Sequence, residues 1–404
     1  MVRAIFAALS IGNYRKFFIG QAFSLLGTWI QSVAIAWLVL EITGSAASIG
    51  FAVALQFLPV LIFGPYGGVL VDRTDKRKLL IKTQALSGVQ ALLLAVMVLT
   101  HNENIALVLV LSLFLGCIYV LDMPARSAFI REMVPSDLVR NAVSLNSVVV
   151  NGARVIGPAL AGVMIATIGL GWCFAANAAS FIGVITAYAL MKTSELIPVE
   201  PVVRAPGQLR EGLRYVFANP NLRVPLIMMA VVGTLTYEFT VVLPAFASET
   251  FSSGAQSLGW LSAAMGLGAV FGGLWSATRP TSGISVIALA AVCFGIAVAG
   301  TALMPNVLWA CVALIPVGAA SIWFMSAGNS AVQLHAEPHM RGRVMSLWTV
   351  AFIGSTPVGA PIVGWVAETA GPRWALGLGA AAAVTAGIYG AKWAMRMHRS
   401  EIPS

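Results

Sequence analysis

The sequence predicts an all-α polytopic membrane protein with twelve transmembrane helices in two six-helix halves. Three observations predict it. Of 404 residues, 59% are hydrophobic and 10% charged, with a mean hydropathy of +0.88, whereas soluble domains carry about 25% charged residues. Apolar runs of spanning length recur along the whole chain; a span takes roughly 20 apolar residues, so twelve would use about 240 and leave short connections. Features of the first half return in the second at an offset of 202 residues. A water-soluble globular protein and a large soluble domain are both excluded.

Charges, prolines and glycines bound the runs. The first set lies near 17–40, 46–71, 79–100, 105–128, 139–168 and 171–191, and the second near 224–247, 256–277, 283–303, 306–330, 343–367 and 374–394. The run from Phe17 to Leu40 has no short apolar core followed by a small-residue cleavage site, so it is read as a retained span. From Lys192 to Asn221 stands the one long polar stretch, with Pro198, Pro201, Pro206, Pro220, Arg204, Arg210 and Arg214. The expected domains are therefore 1–192, a cytoplasmic linker over 193–221, and 222–404.

The net charge is +9, from 24 Lys+Arg against 15 Asp+Glu. With the amino terminus cytoplasmic, the inner segments hold Arg3, Arg15, Lys16, the run Arg73 to Lys82, Arg126, Arg131, Arg140, the linker arginines, Arg223, Arg279, Arg341, Arg343, Lys392, Arg396 and Arg399. The outer loops then hold Arg373 alone, which the positive-inside rule requires and the inverted topology violates; both termini are expected in the cytoplasm. No basic stretch is interleaved with stacking aromatics, so no nucleic acid partner is expected. Cys117, Cys173, Cys293 and Cys311 all fall inside apolar runs without C-x-x-C spacing, which argues against disulfides and zinc.

The repeat is carried by named residues. Asp137-Leu-Val-Arg-Asn-Ala-Val-Ser-Leu145 aligns with His339-Met-Arg-Gly-Arg-Val-Met-Ser-Leu347, and the same offset takes Gly157 to Gly359 and Gly162 to Gly364, with Pro158 and Pro361 inside the two frames. Both stretches enter the fifth span of their set in the same direction, as in a parallel repeat.

Between the second and third spans, Gly68-Val-Leu-Val-Asp72-Arg73-Thr-Asp75-Lys76-Arg77 resembles the loop signature of the major facilitator superfamily, Gly-x-Leu-x-Asp-Arg-x-Gly-Arg-Arg/Lys. The resemblance implies that fold, with Gly68 admitting a neighbouring helix, Asp72 forming a charge contact that holds one conformation, and Lys76 and Arg77 lying in anionic headgroups. Asp75 replaces the family's glycine, which places the tight turn in question, and Ala277-Thr-Arg279-Pro-Thr-Ser-Gly283 in the second half has lost the signature. Asp122-Met-Pro-Ala-Arg126-Ser, Val134-Pro135, Asn141-Ala-Val-Ser-Leu-Asn146 and Arg341-Gly-Arg-Val-Met-Ser-Leu resemble the bacterial branch that includes enterobactin exporters and macrolide efflux proteins. The Arg-x-x-Gln-Gly of other drug–proton antiporters is missing. Their fifth-span motif survives as Gly157-Pro158-x-x-Ala161-Gly162, with Ala153 and Ser144 where it has glycine. Proton coupling must therefore rest on other residues.

Ionisable groups within spans are costly and normally face the bundle interior or a water-filled cavity. Glu238, near the centre of the seventh span, and Asp122, in the fourth, are the proton-coupling candidates. Asp122 is four residues from Arg126 and can pair with it. Ser144, Ser147, Asn151, Arg154 and Pro158 share one face of the fifth helix, and Gln21, Ser24, Thr28 and Gln31 share one of the first. Gln31, Gln56, Asn151, Arg154 and Thr234 are the candidates for a substrate cavity. Competing readings are an Arg154–Glu238 ion pair that only locks the bundle, and polar stripes that only glue helices. Gly268-Ala-Val-Phe-Gly272 is read as helix packing. His335 and His339 flank Pro338 in a loop, so no metal is expected there.

G-x-x-x-x-G-K-[ST], H-E-x-x-H and G-x-S-x-G are all missing from the sequence, so neither nucleotide hydrolysis nor a peptidase or esterase centre is expected. The resemblance implies a secondary transporter of the bacterial inner membrane, without cofactor and monomeric. It would export small amphipathic compounds, drug-like or siderophore-like, by proton antiport with alternating access. A metabolite importer and a non-transporting membrane scaffold or receptor are the alternatives.

Overall fold

The structure, a computed structural model, describes residues 6–197, 208–278, 283–337 and 340–400. Arg3, Pro198, Pro201, Arg204, Pro206, Arg279, Pro338 and His339 lie outside the described residues. Fifteen α-helices and no strand occur among the described residues. They are α1 Gly12–Thr43, α2 Ala46–Asp72, α3 Lys76–Leu99, α4 Ile105–Met133, α5 Val139–Ile168, α6 Leu170–Ala189, α7 Gln208–Ala218, α8 Pro220–Leu235, α9 Phe239–Ala245, α10 Ala255–Thr278, α11 Ile284–Ala302, α12 Val307–His335, α13 Arg341–Phe352, α14 Thr356–Ala370 and α15 Pro372–Ser400. Among the described residues, twelve stretches are long and apolar enough to cross a membrane, and each coincides with an expected span. The seventh and eleventh are each made of more than one helix.

Contacts divide the chain into two compact units, Met1–Thr43 with Leu58–Arg204, and Gly44–Phe57 with Ala205–Ser404. The stretch expected as a linker is split between them and contains α7. Gly44–Phe57, assigned from the sequence to the first half, groups with the second unit because small residues pack it there. A Cβ on Gly50 would overlap the Ala360 carbonyl, and one on Gly364 would lie 2.7 Å from Ala46 O. Glu368 also accepts hydrogen bonds from Ser45 Oγ and, at 3.0 Å, from Ala47 N.

In the first unit, caps and apolar burial explain the helices. Asp75 accepts from Lys78 N at 3.0 Å and caps α3; Asn104 accepts from Ala106 N at 2.9 Å and caps α4. Asp75 thus ends the loop as a helix cap, which accounts for the chain managing without the signature glycine. Tyr14, Phe17, Phe129 and Tyr188 form a buried aromatic cluster, with Tyr14 Oη donating to Ala142 O at 2.6 Å. α5 runs unbroken through Pro158. Gly169, at φ 90° and ψ 165°, ends α5 and starts α6 in a conformation restricted almost entirely to glycine.

The second unit is organised around interruptions. α8 ends at Leu235 and α9 begins at Phe239; between them Thr236 Oγ1 donates to Gly379 O at 2.8 Å and Tyr237 Oη to Ser321 O at 2.6 Å. α13 ends at Phe352 and α14 starts at Thr356. The two interruptions meet: a Cβ on Gly359 would overlap Thr234 O, and one on Gly233 would lie 2.9 Å from Ala351 O. Gly268 and Gly272 of α10 pack on the carbonyls of Ile315 and Ala319 in α12, so this pair is helix packing, as its spacing suggested. Gly371, at φ 99° and ψ 156°, separates α14 from α15.

Candidate functional site

Among the described residues, each unit buries one carboxylate within a stretch long and apolar enough to cross a membrane, and the two are held in contrasting ways. In the first unit Asp122 is 1% exposed. Its Oδ2 accepts from Arg126 Nε at 2.7 Å and from Arg126 Nη2, while Oδ1 accepts from Thr83 Oγ1 and Gln84 Nε2, both at 2.7 Å. The network continues outward from there. Arg126 Nη1 donates to Gln21 Oε1 at 3.0 Å, Gln21 Nε2 to Tyr188 Oη at 2.5 Å, and Ser24 Oγ to Gln84 Oε1 at 3.2 Å. Every donor and acceptor that a buried ion pair needs is thus supplied by α1, α3, α4 and α6.

Gln31, expected in a cavity, is 2% exposed and tied into helix packing: Nε2 donates to Gln90 Oε1 at 2.9 Å and Oε1 accepts from Asn177 Nδ2 at 2.8 Å. Asn151 is exposed, and its Nδ2 donates to Ser147 O at 2.8 Å on its own helix. Arg154 places its guanidinium 5.3 Å from the Trp29 ring centroid.

In the second unit Glu238 stands at the interruption between α8 and α9 and is 4% exposed. Thr356, first residue of α14, offers its side chain as a hydrogen-bond partner, and Oε1 has none. A cavity with about 10 Å³ for the centre of a water-sized sphere adjoins it, lined also by Thr236, Phe239, Val298 and Gly379. That is room for about one water molecule. Thr234 is one turn earlier, with Oγ1 donating to Ala230 O at 2.6 Å, and Gln56 is buried within Gly44–Phe57 of the same unit. Chemically, the first carboxylate is fixed by a permanent cation; the second has spare acceptor capacity beside a void the size of about one water molecule.

A family model described as transmembrane secretion effector matches residues 3–404. The chain belongs to this family of the major facilitator superfamily. Among major facilitator relatives, the staphyloferrin A transporter of Staphylococcus aureus is 24% identical over 361 residues, covering 88% of this chain and 90% of the relative. The enterobactin exporter EntS of Shigella flexneri is 26% identical, covering 87% and 84%, and the multidrug efflux pump Tap of Mycolicibacterium fortuitum is 26% identical, covering 85% and 87%. The same fold occurs in solved major facilitator structures. A bacterial homologue of the lysosomal transporter Spinster gives a TM-score of 0.71 at 14% identity, covering 95% of this chain and 96% of that one. A mutant of the nucleoside transporter NupG gives 0.75 at 14%, covering 95% and 99%. The protein is a multi-pass membrane transporter and not an enzyme.

Two cations of the superfamily loop signature have partners within the protein. Lys76 is 9% exposed and pairs with Glu132 at 2.7 Å. Arg77 donates to Tyr188 O at 2.7 Å and Ala189 O at 2.8 Å, which turns it onto the end of α6. Arg73 remains exposed and Asp72 half-buried. Gly68 is buried, but the close approach documented in this stretch belongs to Gly67, where a Cβ would overlap Val120 O of α4.

Sequence reasoning missed Thr83, Gln84, Gln90, Asn177 and Tyr188. Thr83, Ser87 and Gln90 stand at steps of four and three in the third span, the same signal that exposed the stripe on α1.

Proposed function

We propose that the protein exports small amphipathic molecules, drug-like or siderophore-like, from the cell by proton antiport with alternating access. Glu238 carries the coupling proton. The observation that supports this reading is a carboxylate 4% exposed with Oε1 unpartnered. A charge near mid-membrane costs roughly 2.5–3.5 kcal/mol on insertion scales, and protonation removes that charge where no cation does so. Asp122 fills the role less well, because Arg126 already compensates it. The proton enters from the more acidic side, neutralises Glu238, and leaves towards the cytoplasm as substrate moves out. A cationic substrate can compete for the same carboxylate, with Gln56 and Thr234 of the same unit as further polar contacts. Export and the substrate class rest on what the relatives' names state of those proteins.

The protein works as a monomer in the bacterial inner membrane with both termini cytoplasmic, and Asp72 stabilises one access state. In a cysteine-free background, cysteines at Asn102, Asn306 and Arg373 should react with an impermeant maleimide in intact cells and one at Lys78 should not; labelling at Lys78 reverses the orientation.

Glu238→Gln resembles the protonated form. In everted vesicles it should bind or exchange substrate while losing at least tenfold of the uphill transport driven by a pH gradient. Wild-type accumulation by Glu238→Gln would remove Glu238 from coupling.

A further inference from the structure

α7 lies in the stretch whose composition reads as a solvated linker, yet its two faces are sharply different. Gly212 and Val216 are buried; Glu211 pairs with Arg343 at 2.8 Å, and the Tyr215 hydroxyl accepts from Glu337 N at 3.2 Å. These contacts pin one side of the helix to the second unit. Arg210, Leu213, Arg214 and Phe217 are all exposed and recur at i, i+3, i+4 and i+7, which puts two cations and two large apolar side chains on one face.

The basic surface continues beyond α7. Phe217 O accepts from Arg223 Nη1 at 3.3 Å, and the Arg223 guanidinium stands 5.0 Å from the centroid of the Trp393 ring. Arg396 stands 5.8 Å from the same centroid, so the two guanidinium carbons are within about 11 Å of each other. None of these four arginines has a carboxylate partner among the described residues. The position is set by the spans. The seventh begins at Pro220, two residues after α7 ends, and Trp393 stands near the end of the last, so the whole surface lies at one edge of the bilayer.

We propose that this face is a docking site for the headgroups of anionic phospholipid in the surrounding leaflet, with Leu213 and Phe217 entering the acyl boundary. Charge complementarity selects an anion, and the interleaved Leu213 and Phe217 select a lipid over free phosphate, which offers nothing to bury them. An indole at the same level suits the membrane–water interface. The inference does not depend on which compound is exported or which ion drives it.

The test uses the full chain with Cys117, Cys173, Cys293 and Cys311 replaced by serine and Leu213→Cys carrying an environment-sensitive fluorophore. It is placed in nanodiscs of phosphatidylcholine with or without phosphatidylglycerol. With phosphatidylglycerol the emission should shift to the blue and be quenched by a lipid-borne nitroxide. Native mass spectrometry should show phosphatidylglycerol retained over phosphatidylcholine by at least about tenfold. Arg210→Gln with Arg214→Gln, both exposed side chains outside the unit's packing, should remove much of this preference, and adding Arg223→Gln and Arg396→Gln should abolish it. Equal quenching in both lipids, or indifference to all four substitutions, overturns the proposal. So does displacement of the lipid by millimolar inorganic phosphate, which would mark a free-anion site.

Discussion

In the first unit Asp122 sits on an uninterrupted helix and is held by Arg126, Thr83 and Gln84; in the second, Glu238 sits where a helix stops, with Oε1 unpartnered. The difference extends to the backbone. α1 and α5 are continuous through 32 and 30 residues, whereas the corresponding first and fifth spans of the second unit break at Thr236–Glu238 and at 353–355, against one another. An unbroken helix satisfies its own peptide groups, so its side chains are free to build a closed polar network. A broken one leaves side chains and carbonyls at the same place to share partners. The two buried carboxylates are thus told apart by the backbone beside them, continuous at Asp122 and interrupted at Glu238.

The contrast predicts that the same chemical change acts in opposite senses. Asp122→Asn leaves Arg126, whose side chain is 20% exposed, without its counter-charge and should destabilise the purified protein by about 3 kcal/mol. Glu238→Gln strips no cation of its partner and should leave stability unchanged or raised. Thermal unfolding in detergent compares the two, and equal losses would erase the distinction between the units.

A smaller effect is expected at two glycines. Gly359→Ala drives a methyl into Thr234 O where the interruptions meet, which should cost about 1–3 kcal/mol as overpacking. On the continuous α5, a Cβ at Gly152 meets nothing within 4 Å, so Gly152→Ala should stabilise by about 0.5–1 kcal/mol. A loss at Gly152 would mean that the uninterrupted helix also needs its flexibility. The smallest effect concerns the loop cap of the first unit. Asp75→Ala should cost about 1 kcal/mol and Asp75→Gly only a few tenths, because glycine tolerates the cap position. Identical values for the two would deny Asp75 a capping role.

Hydropathy made all twelve spans legible, since length and apolar content are one-dimensional properties of the chain. The interruptions were harder to see: Thr236-Tyr237-Glu238 holds neither proline nor glycine, and although Gly354-Ser355 and Pro357 mark the second break, Pro158 and Pro225 lie within helices that continue, so a proline alone does not mark an end. At the candidate site, Asp122 with Arg126 was readable because four residues on a helix make neighbours. Its Thr83 and Gln84 partners come from another helix, and no spacing within one segment reveals them. The ion pair of Lys76 was hidden for the same reason: its counter-ion, Glu132, is 56 positions away.

The backbone at Gly169 and Gly371 holds one further consequence. These positions are 202 residues apart, the register of the internal repeat, and each has a positive φ paired with an extended ψ between the fifth and sixth spans. The side chains of the two halves nevertheless hold a buried acid in opposite ways. If the halves descend from one duplicated ancestor, selection has been free to rewrite chemistry but not chirality, since any L-residue with a Cβ is strained there. Such glycines keep the record of the duplication long after its sequence similarity has faded.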